Sequence, residues 1–162
     1  MRRTLILMVG VVGLLALQGC AKDFPMDTDK KRQFTYDYEV KGVDKETLWI
    51  RARNYFAETY GDSREVFRVQ SKEEGLLIGR GLATWTIALT ARCTSKYKIA
   101  FKSKNERARL RLKIVKGVPA VSDCPAWPLP SAGGYEEMKA EFQTISGELG
   151  KRLKAGSDLA DF

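Results

Sequence analysis

The sequence predicts an α+β fold: a five-stranded antiparallel sheet with two helices packed on one face, in the order β-α-β-β-β-β-α. Three observations predict it. Five segments alternate apolar and polar residues with a period of two. Two others repeat their apolar residues every three or four positions. Two helices can cover only one face of such a sheet, so the other stays open.

The first strand runs from Phe34 to Lys41, with Phe34, Tyr36, Tyr38 and Val40 on one side and Thr35, Asp37, Glu39 and Lys41 on the other. Gly42-Val43 turns the chain, and Asp44 is a good N-cap. Leu48, Ala52, Tyr55, Phe56 and Thr59 then follow at helical spacing, with Trp49 at the stripe's edge and Gly61 as the stop. Alternation returns at Glu65–Ser71, with Phe67 and Val69 expected inward. Lys72-Glu73-Glu74-Gly75 reads as a hairpin turn. A long strand begins at Leu76, with a bulge or bend expected at Gly79-Arg80-Gly81. Beyond it Ala83, Trp85, Ile87, Leu89 and Ala91 share a face. A turn at Cys93-Thr94-Ser95 is expected to lead into Lys96–Lys104, where Tyr97, Ile99 and Phe101 alternate with lysines. Asn105-Glu106 turns again, and Arg107–Val115 alternates Ala108, Leu110, Leu112 and Ile114 with cations.

Residues 117–134 hold four of the five prolines and no periodic pattern. Such long loops are usually functional or tied down. Trp127 within it reads either as a plug that packs the loop down or as an exposed contact residue. The second helix is expected over Tyr135–Ala155, with Met138, Phe142, Ile145, Leu149 and Leu153 as its buried stripe. Gly147 and Gly150 would weaken it by roughly 1 kcal/mol each relative to Ala, in exchange for close helix–sheet contact. Residues 157–162 read as a tail.

Ahead of this single domain, residues 34–156, stands a leader. Arg2 and Arg3 precede an apolar run from Leu5 to Leu17. At about 13 residues the run is too short for a membrane helix, which needs roughly 20, and fits a signal peptide over residues 1–19. Its ending, Leu17-Gln18-Gly19-Cys20, resembles the bacterial lipoprotein lipobox. The resemblance implies cleavage before Cys20, which would carry a diacylglyceryl group and an N-acyl chain; no other cofactor is expected. Several acyl chains together give stable anchoring. Residues 20–33 are polar and read as the lipidated cysteine and a tether reaching at most about 40 Å. Ala21 after Cys20 favours the outer membrane, facing the periplasm, by the enteric sorting rule. With Cys20 so assigned, Cys93 and Cys124 remain in an oxidising compartment. They are expected to pair, the alternative being two free thiols.

Several strings resemble a family of bacterial proteins of unknown function with a TATA-binding-protein-like fold. They are Tyr38-Glu39-Val40-Lys41-Gly42, Lys45-Glu46-Thr47-Leu48, Tyr55-Phe56, the run from Lys72 to Gly81, and Lys96-Tyr97-Lys98-Ile99. The resemblance covers roughly residues 34–116. It implies the same fold and offers no functional residues to carry over, because the family has no established active site. The proline-rich loop with Cys124 departs from it.

The chain is basic, with a formal charge of +8 that becomes +6 without Arg2 and Arg3. Its cations concentrate on the last two strands and their approaches. Lys96, Lys98, Lys102, Arg107, Arg109, Arg111 and Lys113 are the anion-binding candidates, with Glu106 the only acid among them. Like charges across antiparallel strands destabilise the pair. Solvent and nearby acids could offset this, Asp37 and Glu39 being expected near Arg109 and Arg111. So could an anionic partner, such as lipid phosphates, peptidoglycan or an acidic envelope protein. Nucleic acid is not expected: the leader directs the chain out of the cytoplasm, and the open face has few aromatic residues to wedge between bases. With no histidine, no phosphate-cradling glycine loop and no metal-ligand spacing, catalysis and a metal site are not expected either. The expected function is therefore that of a membrane-anchored binding or assembly module. The alternative is an accessory subunit of an envelope machine that makes contact through the proline-rich loop.

Overall fold

The alternating segments form five strands: β1 (Gln33–Glu39), β2 (Phe67–Ser71), β3 (Leu76–Ile87), β4 (Ala91–Lys104) and β5 (Arg107–Val115). The helical patterns form α1 (Lys45–Tyr60) and α2 (Ala132–Ala155). The computed structural model describes residues 24–60, 66–87 and 91–155. The expected leader with Cys20, the expected helix stop at Gly61, positions 88–90 of the expected long strand and the expected tail lie outside the described residues.

The strands form one antiparallel sheet in the order β1-β5-β4-β3-β2. The first strand thus lies beside the last, as expected. Both helices pack on the inner face. Leu48, Ala52 and Phe56 of α1 and Met138, Phe142, Leu149 and Leu153 of α2 are fully buried against Leu77, Trp85, Tyr97, Ile99, Phe101, Leu110 and Leu112 of the sheet. Burying each large side chain stabilises the fold by about 1.5–3 kcal/mol. The two helices also meet directly: the Tyr55 hydroxyl donates to the Ile145 carbonyl (3.2 Å), and Arg51 donates to the Leu153 carbonyl (2.7 Å).

Local chemistry fixes the ends of the elements. Asp44 caps α1, its carboxylate accepting from the Thr47 N–H (2.9 Å) and hydroxyl (2.7 Å). The β4–β5 turn braces the same helix start. Asn105 Oδ1 accepts from the Lys45 N–H (3.0 Å), and the Glu106 carboxylate accepts from the Gly42 N–H (2.8 Å). Glu106 holds this place with a φ of 62°.

Five expectations need correction. First, Val69 faces outward. An irregularity pairs Phe67 with Gly79 but Val69 with Ile78, so an extra β2 residue reverses the alternation. Second, the bulge therefore lies in β2, and Gly79-Arg80-Gly81 runs in regular register with Tyr97-Lys98-Ile99. Those glycines make room for rings instead. A Cβ at Gly81 would strike the Tyr97 ring, and one at Gly79 would lie 2.7 Å from the Phe67 ring.

Third, Cys93-Thr94-Ser95 is strand, not turn. Cys93 pairs with Trp85, and Ser95 is buried because its hydroxyl accepts the Trp85 indole N–H at 2.9 Å. Fourth, α2 begins at Ala132 rather than Tyr135. Ser131 caps it, Oγ accepting from the Gly134 N–H (3.0 Å) and the carbonyl from the Tyr135 N–H (2.8 Å). Gly134 there lies flat on Trp85.

Fifth, the expected tether is docked from Phe24 onward. Pro25 bridges to Ser131, Met26 is buried, and the Met26 N–H donates to the Pro130 carbonyl (3.1 Å). Further along, the Tyr135 hydroxyl donates to the Lys31 carbonyl (2.9 Å), and the Ile114 N–H to that of Arg32 (2.9 Å).

The proline-rich loop is tied down. A disulfide joins Cys124 to Cys93, with Cα atoms 5.2 Å apart. Ser122 Oγ accepts from the Thr94 N–H (3.0 Å). Trp127 packs edge-on against Trp85, ring centres 5.9 Å apart, so it plugs the loop onto the core.

Candidate functional site

Parity along β4 and β5 decides what the outer face of the sheet carries. Cys93, Ser95, Tyr97, Ile99, Phe101 and Ser103 point inward on β4, and Ala108, Leu110, Leu112 and Ile114 do so on β5. The residues between them must point out. The structure thus brings all seven candidate cations, Lys96, Lys98, Lys102, Arg107, Arg109, Arg111 and Lys113, onto one face, where Lys104 joins them. Lys96 is half-buried and the others are exposed.

The register sets cations against one another. Lys104 lies opposite Arg107, Lys102 opposite Arg109, and Lys98 opposite Lys113. On the other side Lys98 lies opposite Arg80. The row Lys113–Lys98–Arg80 therefore crosses three neighbouring strands without a carboxylate in it, and Gln33 of β1 ends it. Neighbouring strands are about 4.8 Å apart, so these charges are held close.

Among the described residues, acids reach only one corner of the face. Asp37 lies opposite Arg109 and Glu39 opposite Arg107; Thr35, not an acid, lies opposite Arg111. Asp37 makes a two-point ion pair with Arg109, at 2.5 Å to Nε and 3.1 Å to Nη2. The hydrogen bond from Arg109 holds the Asp37 carboxyl below its usual range, and the field of Arg109 and Arg111 lowers it further. Beside this pair Lys102, Lys104, Arg107 and Arg111 line an open hollow of 330 Å³. Glu106 is committed elsewhere, to the Gly42 N–H.

The same face carries an apolar stripe that the sequence analysis missed. Val69 of β2 and Ile78 and Leu82 of β3 are 41%, 39% and 49% exposed, and Val69 pairs with Ile78. Leu76 and Ala100 extend the stripe half-buried. The signal was present. Counting back from inward Ala83 and Trp85 sends Leu82, Arg80, Ile78 and Leu76 outward, but an expected bulge at the glycines broke that count. The outer face is thus cationic over β4–β5 and aliphatic over β2–β3.

Among the described residues, no three Cys, Asp or Glu side chains gather into a group that could hold a metal ion, and no helix is long and apolar enough to cross a membrane. Cys20 lies outside the described residues.

The profile of a domain of unknown function with a TBP-like fold, DUF4468, matches residues 34–116, half of the chain. The chain belongs to the DUF4468 family. Solved structures agree on the fold. A TBP-like protein from Parabacteroides distasonis superposes with a TM-score of 0.62 at 12% identity, over 82% of this chain and 98% of that one. A DUF4468 family protein from Bacteroides ovatus does so with a TM-score of 0.52 at 12% identity, over 80% and 87%. No curated protein matches the sequence. The DUF4468 match ends just before the proline-rich loop. The disulfide and the Trp127 plug therefore lie partly beyond the matched residues, while the cationic face lies within them.

Proposed function

We propose that this DUF4468 chain is a non-catalytic binding module of the bacterial envelope, anchored by lipid on Cys20, whose cationic sheet face docks an anionic component. The row Lys113–Lys98–Arg80 carries this reading. Like charges directly opposed in an antiparallel pair oppose folding. No ion pair from a described residue offsets this row, and an anionic partner would. Nucleic acid fits poorly, since the outward positions of the five strands hold no aromatic side chain that could wedge between bases. Lodging in the envelope rests on the Arg2-Arg3 leader and the Leu17–Cys20 ending. Contact through Trp127 is the weaker reading, because that ring is turned against Trp85.

The test is crosslinking and affinity recovery of the chain from membranes, followed by mass spectrometry of co-purifying protein and lipid. The triple variant Lys98→Glu/Arg111→Glu/Lys113→Glu is compared with the wild type. Arg109 is left out because reversing it also sets two carboxylates together at Asp37. Loss of the co-purifying anionic component supports the proposal; unchanged recovery from folded variant protein overturns it. Separately, Cys20→Ser should release the chain from the membrane fraction, and full retention would remove the anchor from the proposal.

A further inference from the structure

The outer face is divided by strand, and the division gives its occupant a shape. Cations stand on β4 and β5, while aliphatic side chains line β3 and the bulged end of β2. From Leu76 to Leu82 the stripe runs about 20 Å along the strand, the length of roughly 13 residues of α-helix. From β3 to β5 is about 10 Å, the width of one helix. Arg80 interrupts the stripe between Ile78 and Leu82 and joins the cationic row.

Resting on the anionic-partner reading above, we infer that this face receives an acidic amphipathic α-helix of a partner protein, laid along β3 and β4. Its apolar side would cover Ile78, Leu82 and Val69, and its carboxylates would meet Arg80, Lys98 and Lys113. The helix would form a third layer on a sheet that has helices on one side only. A bilayer surface fits less well. Lys98, Lys102 and Arg80 are longer than the aliphatic side chains beside them, so Ile78 and Leu82 form a floor between cations. A floor can be entered by the side chains of a helix, whereas a flat leaflet needs apolar groups outermost.

The probe is a synthetic 18-residue peptide with leucines at helical spacing on one face and glutamates on its flank. A scrambled peptide of the same composition and dihexanoylphosphatidylglycerol are the comparisons. Each is titrated into the full chain held in a neutral detergent. The ordered peptide is expected to bind at least tenfold more tightly than the scrambled one. Ile78→Asp/Leu82→Asp, and separately Lys98→Glu/Lys113→Glu, should each weaken it tenfold or more. Ile78→Ser/Leu82→Ser serves if the aspartates perturb the fold, which thermal melting reports.

Equal binding of the two peptides, or no effect of the Ile78 and Leu82 variants, overturns the helix. So does displacement of the ordered peptide by the lipid at equal concentration. If the charge reversals still abolish anion binding in those cases, the cationic-face proposal stands alone. If they abolish nothing, both readings fall.

Discussion

Residue by residue, the glycines and one carboxylate give the sharpest expectations. Gly81 and Gly147 are both free of positive φ, yet they face opposite surroundings. A Cβ at Gly81 meets the buried Tyr97 ring, so Gly81→Ala should lower stability by about 1–3 kcal/mol. A Cβ at Gly147 meets nothing within 4 Å, so Gly147→Ala should raise stability by up to about 1 kcal/mol. Denaturant titration of the two variants decides both. Of Gly147 and Gly150, only Gly150 makes the expected close approach: a Cβ there would lie 3.3 Å from the Tyr38 ring. Sequence spacing could not separate them, since the Tyr38 ring comes from another element.

Asp37 is the acid inside the cationic field. Its folded carboxyl is held low, so the ion pair adds stability above the unfolded pKa of about 4 and loses it as pH falls through the lower folded value. The pair is exposed, so Asp37→Asn should change stability little. It should nevertheless tighten binding of any polyanion, because one negative charge leaves the face. Weaker polyanion binding by the variant in a salt titration would count against the cationic face as the docking surface.

Whether an element could be read from the sequence depended on how local its cause was. β1, β5 and the α2 stripe were legible, because a period of 2 or 3.6 is written into neighbouring residues. The Asp44 cap was legible for the same reason. The start of α2 was not, because Gly133-Gly134 reads as loop; what makes it helix is the Ser131 cap and the Trp85 ring beneath it. Cys93-Thr94-Ser95 was misread because polar residues suggest a turn, whereas here they serve a disulfide and an indole partner buried by the neighbouring strand.

The disulfide closes a loop of 31 residues in sequence, and loop-closure entropy alone makes that worth about 2–4 kcal/mol. The double variant Cys93→Ala/Cys124→Ala should lose about that much in denaturant melts. It should also make the 117–131 backbone amides exchange faster than those of β4. Uniform exchange across the chain would mean that Trp127 and Ser122 hold the loop without the bond.

Across the whole molecule, the fold class, the strand order and the cationic face were legible, and the aliphatic half of the face was not. Val69 turns outward through one extra residue in β2, which no periodic pattern announces, and Ile78 and Leu82 can be counted outward only once the glycines are taken as regular strand that admits rings. The core also has a testable alkaline limit. Burial raises every tyrosine, to about 12 for Tyr38 and Tyr60, and further for Tyr97, whose hydroxyl meets that of Tyr60 at 2.6 Å. A folded pKa above the unfolded value near 10 leaves stability intact below about pH 10 and removes it as pH rises toward 12. Tyrosinate absorbance should therefore appear late and together with the loss of near-ultraviolet circular dichroism. Ionisation of all six tyrosines near pH 10 in still-folded protein would contradict the packing around these rings.

The docked segment from Phe24 to Arg32 changes what an anchor at Cys20 could do. Four backbone steps separate Cys20 from Phe24, about 14 Å at full stretch. An acyl group there would serve as a mooring and not as a leash. The domain would keep a set heading toward the lipid surface, and its partner would have to approach within that posture instead of meeting a freely tumbling body. A ten-residue Gly-Ser insert after Ala21 would lengthen the mooring without touching a single contact residue. Partner capture should then fall while thermal stability stays where it was.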